Sequence, residues 1–460
     1  MTGTAPGDRL EERAGRLQAA PRSLLHSAVY TVAGSGAFNL CRWLVVVLLV
    51  RYTSPDAVGW FDLAGVAIAA PIVLFFGLEL RAAYVSDGRD EFPFGAYRAL
   101  RRLGTGLAAA VTAGVILTAP LGATLTPLMI LMLATGLGRA LLNGQELYLG
   151  YYQRREALGR LAWSNVLRGV VMVIPFATIL PLVHVLYRDG PSAKTALLWA
   201  AAAAAIIQDL GWLAVWLLYD RRWTERQPEL DRSWTWRQMT ALAWQTLPLG
   251  VVMLLINLCD SVPRWFIRAS HGGATDLGYF AALKVISLGI GLFMMQVAIA
   301  GANRIVVFYH TDLSAFRRTA AALLLIAAGL GGGILAAAAL FGRWFLETAY
   351  GPEYARNQAD FVILIAAQAV SLLATVFGFL ITQMRRFWIQ VPIQIAVLAA
   401  TTISAAVLVP DEPVRGGAWT ALVRATVQSG LFLLCVLAAL GGRDPQPGAS
   451  QRLHNGPPPA

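Results

Sequence analysis

The sequence predicts an all-α polytopic membrane protein: about 12 transmembrane helices in two parallel six-helix lobes around a central cavity. Three observations predict it. Hydrophobic residues make up 57% of the chain and charged residues only 14%, and apolar runs of spanning length, about 20 residues, recur throughout. Basic residues alternate in density from one inter-run segment to the next. A short pattern of residues occurs twice, once in each half.

The apolar runs lie at 27–50, 57–80, 103–120, 125–150, 161–184, 195–218, 241–266, 277–302, 319–342, 360–382, 387–409 and 417–440. The fourth and fifth are interrupted by Arg139, Glu146 and Arg168. Outside the spans, one set of alternate segments holds only Arg51, Arg188, Lys194, Arg268, Arg343, Arg356 and Arg415, and the other set holds most of the 37 Lys and Arg. Cytoplasmic loops carry the excess of basic residues, so both termini are expected on the cytoplasmic side of a multi-pass cell-membrane protein. The net charge of +11 follows largely from this topology and needs no nucleic-acid partner. The long first run argues against a cleaved signal peptide.

The organisation expected is a cytoplasmic N-terminal segment (1–26), a six-helix lobe (27–218), a cytoplasmic linker (219–240), a second six-helix lobe (241–440) and a disordered cytoplasmic tail (441–460). The linker carries Arg221, Arg222, Trp223, Arg232, Trp234, Trp236 and Arg237, side chains suited to the headgroup layer. Cys41, Cys259 and Cys435 fall within spans, lack metal-ligand spacing and are expected to pack without forming disulfides. No metal or other cofactor is expected.

The repeat runs Asn39-Leu40-Cys41, Arg51, Gly59-Trp60-Phe61, Val66 in the first half. It returns as Asn257-Leu258-Cys259, Arg268, Gly278-Tyr279-Phe280, Val285 in the second. Each half has an even number of spans, so the copies enter the membrane in the same direction. Such parallel repeats are related by an axis along the membrane normal, and transporters built this way carry cargo between the lobes.

Charged residues within the spans nominate the site. The cations are Arg42, Arg139, Arg168, Arg264, Lys284 and Arg424, and the acids are Asp62, Glu146, Asp209 and Asp260. A charge at mid-span costs about 2.5–3.5 kcal/mol on insertion scales and requires a partner, water or a ligand. Asp62 and Arg264 are expected near the outer ends, within reach of water. A surplus of cations suits an anionic passenger such as a lipid pyrophosphate, whose oxygens an arginine fork meets two at a time. Arg42, Arg139 and Lys284 are expected to face one cavity. Asp260, Asp209 and Asp62 are candidates for ion coupling or gating.

Aligning the repeats sets Arg42 against Asp260, which admits three readings. They form an ion pair between lobes; or Arg42 meets an anion while Asp260 takes a cation; or Asp260 pairs locally with Arg264 at i, i+4. Pro71, Pro175 and Pro248 mark possible bends.

The stretch Val50-Arg51-Tyr52-Thr53-Ser54-Pro55 followed by Gly59-Trp60-Phe61 resembles the start of bacterial polysaccharide flippases. Leu247-Pro248-Leu249-Gly250, Asp260 and Gly278-Tyr279-Phe280 resemble that family's seventh and eighth spans. Tyr350-Gly351-Pro352-Glu353-Tyr354 and Gly416-Gly417-Ala418 resemble later landmarks. The family belongs to the multidrug/oligosaccharidyl-lipid/polysaccharide exporter superfamily. The resemblance implies flipping of an undecaprenyl-pyrophosphate-linked oligosaccharide from the inner to the outer leaflet by alternating access. It also implies a cationic cavity, coupling to H+ or Na+ or to the membrane potential, and work alongside polysaccharide biosynthesis proteins. Where the family's cavities commonly carry lysine, this chain has mostly arginine.

Two other classes compete. A multidrug or small-solute exporter with a related two-lobe fold would favour an acidic or neutral cavity if it carried cations. A membrane polysaccharide polymerase or ligase would need acid, base or metal groups gathered in sizeable outer loops. The five histidines, His26, His184, His271, His310 and His454, are scattered instead.

Overall fold

A computed structural model describes residues 21–87, 91–118, 126–187, 190, 192–227, 230–300, 313–383 and 389–441. Twelve long helices follow one another through these segments: α1 (Pro21–Tyr52), α2 (Pro55–Ser86), α3 (Phe94–Leu117), α4 (Pro127–Arg154), α5 (Leu158–Leu186) and α6 (Ala193–Thr224). After the linker come α7 (Trp236–Ala269), α8 (Gly273–Ala300), α9 (Leu313–Ala349), α10 (Gln358–Gln383), α11 (Gln390–Leu408) and α12 (Pro413–Gly441). Eleven meet the length and composition needed to cross a membrane, and α8, 28 residues long, takes the eighth place in the order. Residues 1–20 and 442–460, most of the two terminal segments read from the sequence, lie outside the described residues.

Helix starts follow local chemistry. Thr126 accepts from the Met129 N–H ahead of Pro127, and Thr235 with Gln238 forms a capping box at the head of α7. Both satisfy backbone donors that a helix start leaves open. The cap at Thr235 and the continuation of α6 to Thr224 leave a connection of residues 225–235, shorter than the 219–240 read from the sequence. Residues 219–224 stay helical because their side chains are partly inside: Asp220 and Thr224 are fully buried.

The prolines act unequally. Helix α2 contains a π-helical segment, Leu63–Ile68, in which the Ala69 N–H reaches back to the Ala64 carbonyl. Pro71 follows directly and has no N–H to give to the carbonyl four residues earlier, which favours such a widened turn. The same helix breaks at Leu78 and Glu79, both in left-handed conformation with φ of 50° and 48°. Helices α5 and α7 instead run through Pro175, Pro181, Pro248 and Pro263. In α5 the Thr178 hydroxyl donates to the Ile174 carbonyl at 2.8 Å.

The first lobe packs α1 on α5, α5 on α6, and α4 between α3 and α6; the second packs α10 on α9 and α12, and α11 on α7 and α12. The lobes meet along α2, α7 and α8. The repeat occupies this seam. Asn39 and Asn257 each donate to the carbonyl four residues earlier at 2.8 Å, Ser35 and Met253 respectively. A Cβ on Gly59 would lie 1.9 Å from the Ala274 carbonyl oxygen, and one on Gly278 would lie 1.9 Å from that of Pro55. Pro55 and Ala274 each stand four residues before the repeat's glycine. The crossing is therefore reciprocal, as a two-fold axis between Gly59 and Gly278 requires, and glycine is what lets the backbones approach so closely.

Other contacts tie the same end together. Arg51 donates to the carbonyls of Ala349, at 2.9 Å, and Thr348. Its repeat counterpart Arg268 lies over the Trp60 ring at 4.3 Å. Trp43 donates to the Tyr350 hydroxyl, which donates to the Ala282 carbonyl, each at 2.9 Å, and Thr275 donates to Asp56 at 2.9 Å.

Candidate functional site: a cationic chamber between the lobes

A chamber opens below this seal. Helices α1, α2, α4, α5 and α6 form most of its wall, and α7 and α8 close the far side through Arg264, Ala281 and Val285. Phe38, Phe61, Gln208 and Trp212 supply apolar and hydrogen-bonding surface, and the π-helical stretch of α2 contributes Gly65 and Val66. Arg42 of α1, Arg139 of α4, Asp62 and Arg264 are its charged lining. Val66 and Val285, the last members of the repeat, both face it.

Arg42 and Arg139 differ from Arg168, Arg264 and Arg424, which are ion-paired. Neither makes a hydrogen bond or ion pair with any described residue. Their like charges act on one another, and both feel Asp62 and Arg264. Two guanidiniums without a bonded partner in a membrane interior are a standing cost of the fold, and such residues mark sites of function.

Arg264 joins the lobes. Its Nε donates to Asp62 Oδ2 at 2.6 Å, its Nη1 donates to the Asp260 carbonyl at 2.6 Å, and it lies 5.5 Å from the Phe280 ring centre. The side chains of Arg264 and Asp62 are 3% and 12% exposed, so the expectation that both reach water is corrected. The Asp260 carboxylate pairs with Arg424 of α12. The local Asp260–Arg264 ion pair and the direct Arg42–Asp260 pair are thus both replaced. The carbonyl of Asp260 lies along the Arg264 helix, whereas its carboxylate swings to α12.

Lys284 feels the charges of Asp260, Arg424, Arg264 and Asp62 but is absent from the chamber lining, where its helix is represented by Ala281 and Val285. Arg168 lies elsewhere. It donates to Glu146 and to Asn165, both at 3.2 Å, beneath the Phe38 ring, and Glu146 also takes Arg81 at 2.6 Å. Asp209 is half-buried beside Gly138 and accepts from Gln208 Nε2 at 3.4 Å. Among the described residues, the chamber lining itself holds three cations, Arg42, Arg139 and Arg264, and one carboxylate, Asp62.

Sequence reading missed several of these residues. Phe38, Phe61 and Trp212 look like packing residues in an apolar run. Asp220, read as part of the linker, is buried in the π-helical segment Val215–Arg221 and accepts from Gln145 and, at 3.0 Å, from Ser164. The described cysteines are free thiols, with Cys41 against Gly169.

The chain has the fold seen in transporters of the MOP superfamily. It superposes on an inward-facing multidrug resistance MATE family transporter of that superfamily with a TM-score of 0.62 at 12% identity, over 91% of this chain and 100% of the other. On the MATE multidrug transporter DinF-BH the TM-score is 0.63 at 16% identity, covering 92% and 96%. A third is a MOP superfamily transporter from Pyrococcus furiosus, described by the reverse polarity of its binding pocket, at 0.60 and 13% identity, covering 92% and 96%. In sequence, the chain is similar to the capsular polysaccharide biosynthesis protein CapF of Staphylococcus aureus. The two are 21% identical over 387 residues, 83% of this chain and 91% of that one. The fold thus agrees with the superfamily to which the sequence resemblance pointed. No profile of a known protein family matches the chain.

Proposed function

We propose that this protein flips an undecaprenyl-pyrophosphate-linked oligosaccharide from the cytoplasmic to the outer leaflet by alternating access of its two lobes, in the synthesis of a surface polysaccharide. The observation that carries this reading is the pair Arg42 and Arg139, facing one chamber without a bonded partner among the described residues. A pyrophosphate supplies the missing negative charge, and the planar forks grip its oxygens two at a time. Gln208 and Thr135 add hydrogen-bonding groups beside them. The similarity to a capsular polysaccharide biosynthesis protein supports the same cargo class. A carrier of cationic drugs fits poorly, since the cations that line the chamber outnumber its carboxylate.

Arg264 has two roles in this reading. Its bond to Asp62 clamps the lobes, and an arriving pyrophosphate competes with Asp62 for the guanidinium, so cargo loosens the seam it must pass. Ion coupling falls to Asp209. Asp62 and Asp260 are each held by an arginine, whereas Asp209 takes only the weak bond from Gln208 among the described residues. The test is a leaflet assay in proteoliposomes with polyprenyl-pyrophosphate-linked oligosaccharide. Transfer of the saccharide to the far leaflet by folded, inserted protein supports the reading. Its absence, with export of a cationic dye instead, overturns it.

A further inference from the structure

At the end opposite the Gly59–Gly278 crossing, a groove lies between α3 and the start of α7, bounded by Arg98, Arg102, Leu103, Trp234, Trp236 and Met239. Its charge is unbalanced. Glu225 accepts from Arg98 at 2.9 Å and from Arg221 at 3.1 Å, with Arg102 3.9 Å away. Arg232 donates to the Glu225 backbone carbonyl, so a fourth arginine joins the same carboxyl-poor corner. The next acid, Asp231, is engaged by the Ser233 N–H and hydroxyl at 2.9 and 2.6 Å, which hold its carboxyl below the usual range. The Arg102 side chain remains half-exposed.

The surroundings give the depth. Trp234 and Trp236 are 45% and 65% exposed, and exposed tryptophans at helix ends sit at the headgroup level. Leu103 starts a stripe continued by Leu107, Val111 and Val115, spaced i, i+4 on one face of α3 and each more than two-fifths exposed. The stripe leads from the arginines along α3 towards the middle of the membrane.

We propose that this groove is a binding site for one acidic phospholipid. Its phosphate lies against Arg102 and Arg98, its glycerol against Trp234 and Trp236, and its acyl chains run along Leu103, Leu107 and Val111. Basic pockets between membrane helices take acidic headgroups in this way. Because α3 belongs to the first lobe while the linker and α7 lead into the second, the lipid touches both lobes and ties their relative position to the acidity of the leaflet. The site is independent of what the chamber carries.

The test uses the full-length protein, delipidated in neutral detergent and titrated with phosphatidylglycerol brominated on its acyl chains, with tryptophan quenching as the readout. The expected result is saturable quenching that brominated phosphatidylcholine does not reproduce and that shrinks in Trp236→Phe. In Arg102→Gln, half-saturation rises about fivefold, the loss of roughly one arginine's attraction to an acidic lipid. Arg102 is half-exposed and outside the chamber, so this variant folds, and a Leu107→Ser variant tests the acyl path separately. Equal quenching by phosphatidylcholine, an unchanged Arg102→Gln titration, or full competition by inorganic phosphate would each overturn the proposal.

Discussion

At the scale of single residues, the charges around the seam divide by what they hold. Arg264 and Asp62 hold each other across the lobes while almost wholly buried. Removing one partner of a buried pair leaves an uncompensated charge and costs on the order of 3–5 kcal/mol. Asp62→Asn is therefore expected to lower the unfolding midpoint in detergent strongly. The double variant Asp62→Asn, Arg264→Gln should recover most of the loss, and a thermal-shift double-mutant cycle reads the coupling. Arg42 and Arg139 behave oppositely. Each lies in the field of the other without a bonded partner among the described residues, so Arg42→Gln or Arg139→Gln should leave the midpoint unchanged or slightly raised while transport falls. Stability lost together with transport would make them structural. Asp209→Asn should leave cargo binding intact and abolish the dependence of flux on an imposed H+ or Na+ gradient, measured as flux with and without the gradient.

At the scale of helices, α2 and α8 cross where the repeat places its glycines. Each glycine meets the carbonyl four residues before the other. A side chain there must push two backbones apart, so Gly59→Val and Gly278→Val should impair assembly to a similar degree, read as loss of monodisperse protein on size-exclusion chromatography. Tolerance of one and not the other would break the proposed symmetry. This is also where the limits of sequence reading are clearest. The helices, their order and the repeat were legible, because apolar length and a repeated Asn, Arg, Gly and aromatic pattern are properties of the chain itself; the crossing of its two glycines was not. The partner choices of Asp260 and Arg264 were not. Spacing along one helix says which groups are near each other, but α2 and α12 offered better-placed partners from Asp62 and Arg424. Nor were the widened turns in α2 and α6, which put Asp220 inside the first lobe rather than in the linker.

For the whole molecule, contacts at the Gly59–Gly278 end join the lobes through Arg51, Trp43, Asp56 and Arg268. Alternating access requires that these contacts part. Asp56→Cys with Thr275→Cys, replacing groups now 2.9 Å apart, is expected to form a disulfide on oxidation in a background without the native cysteines. Flux should stop when it forms and return on reduction; undiminished flux in the oxidised protein would mean that the lobes do not separate there. The chamber between them is the centre of the proposal. Its most direct test is the initial rate of leaflet transfer of a polyprenyl-pyrophosphate-linked oligosaccharide, in proteoliposomes holding equal amounts of folded wild type or Arg42→Gln, Arg139→Gln protein. A cationic cradle predicts a drop of at least about tenfold, since each lost guanidinium removes a charge-assisted contact worth roughly 1.5–3 kcal/mol. Equal rates for the two proteins would contradict it.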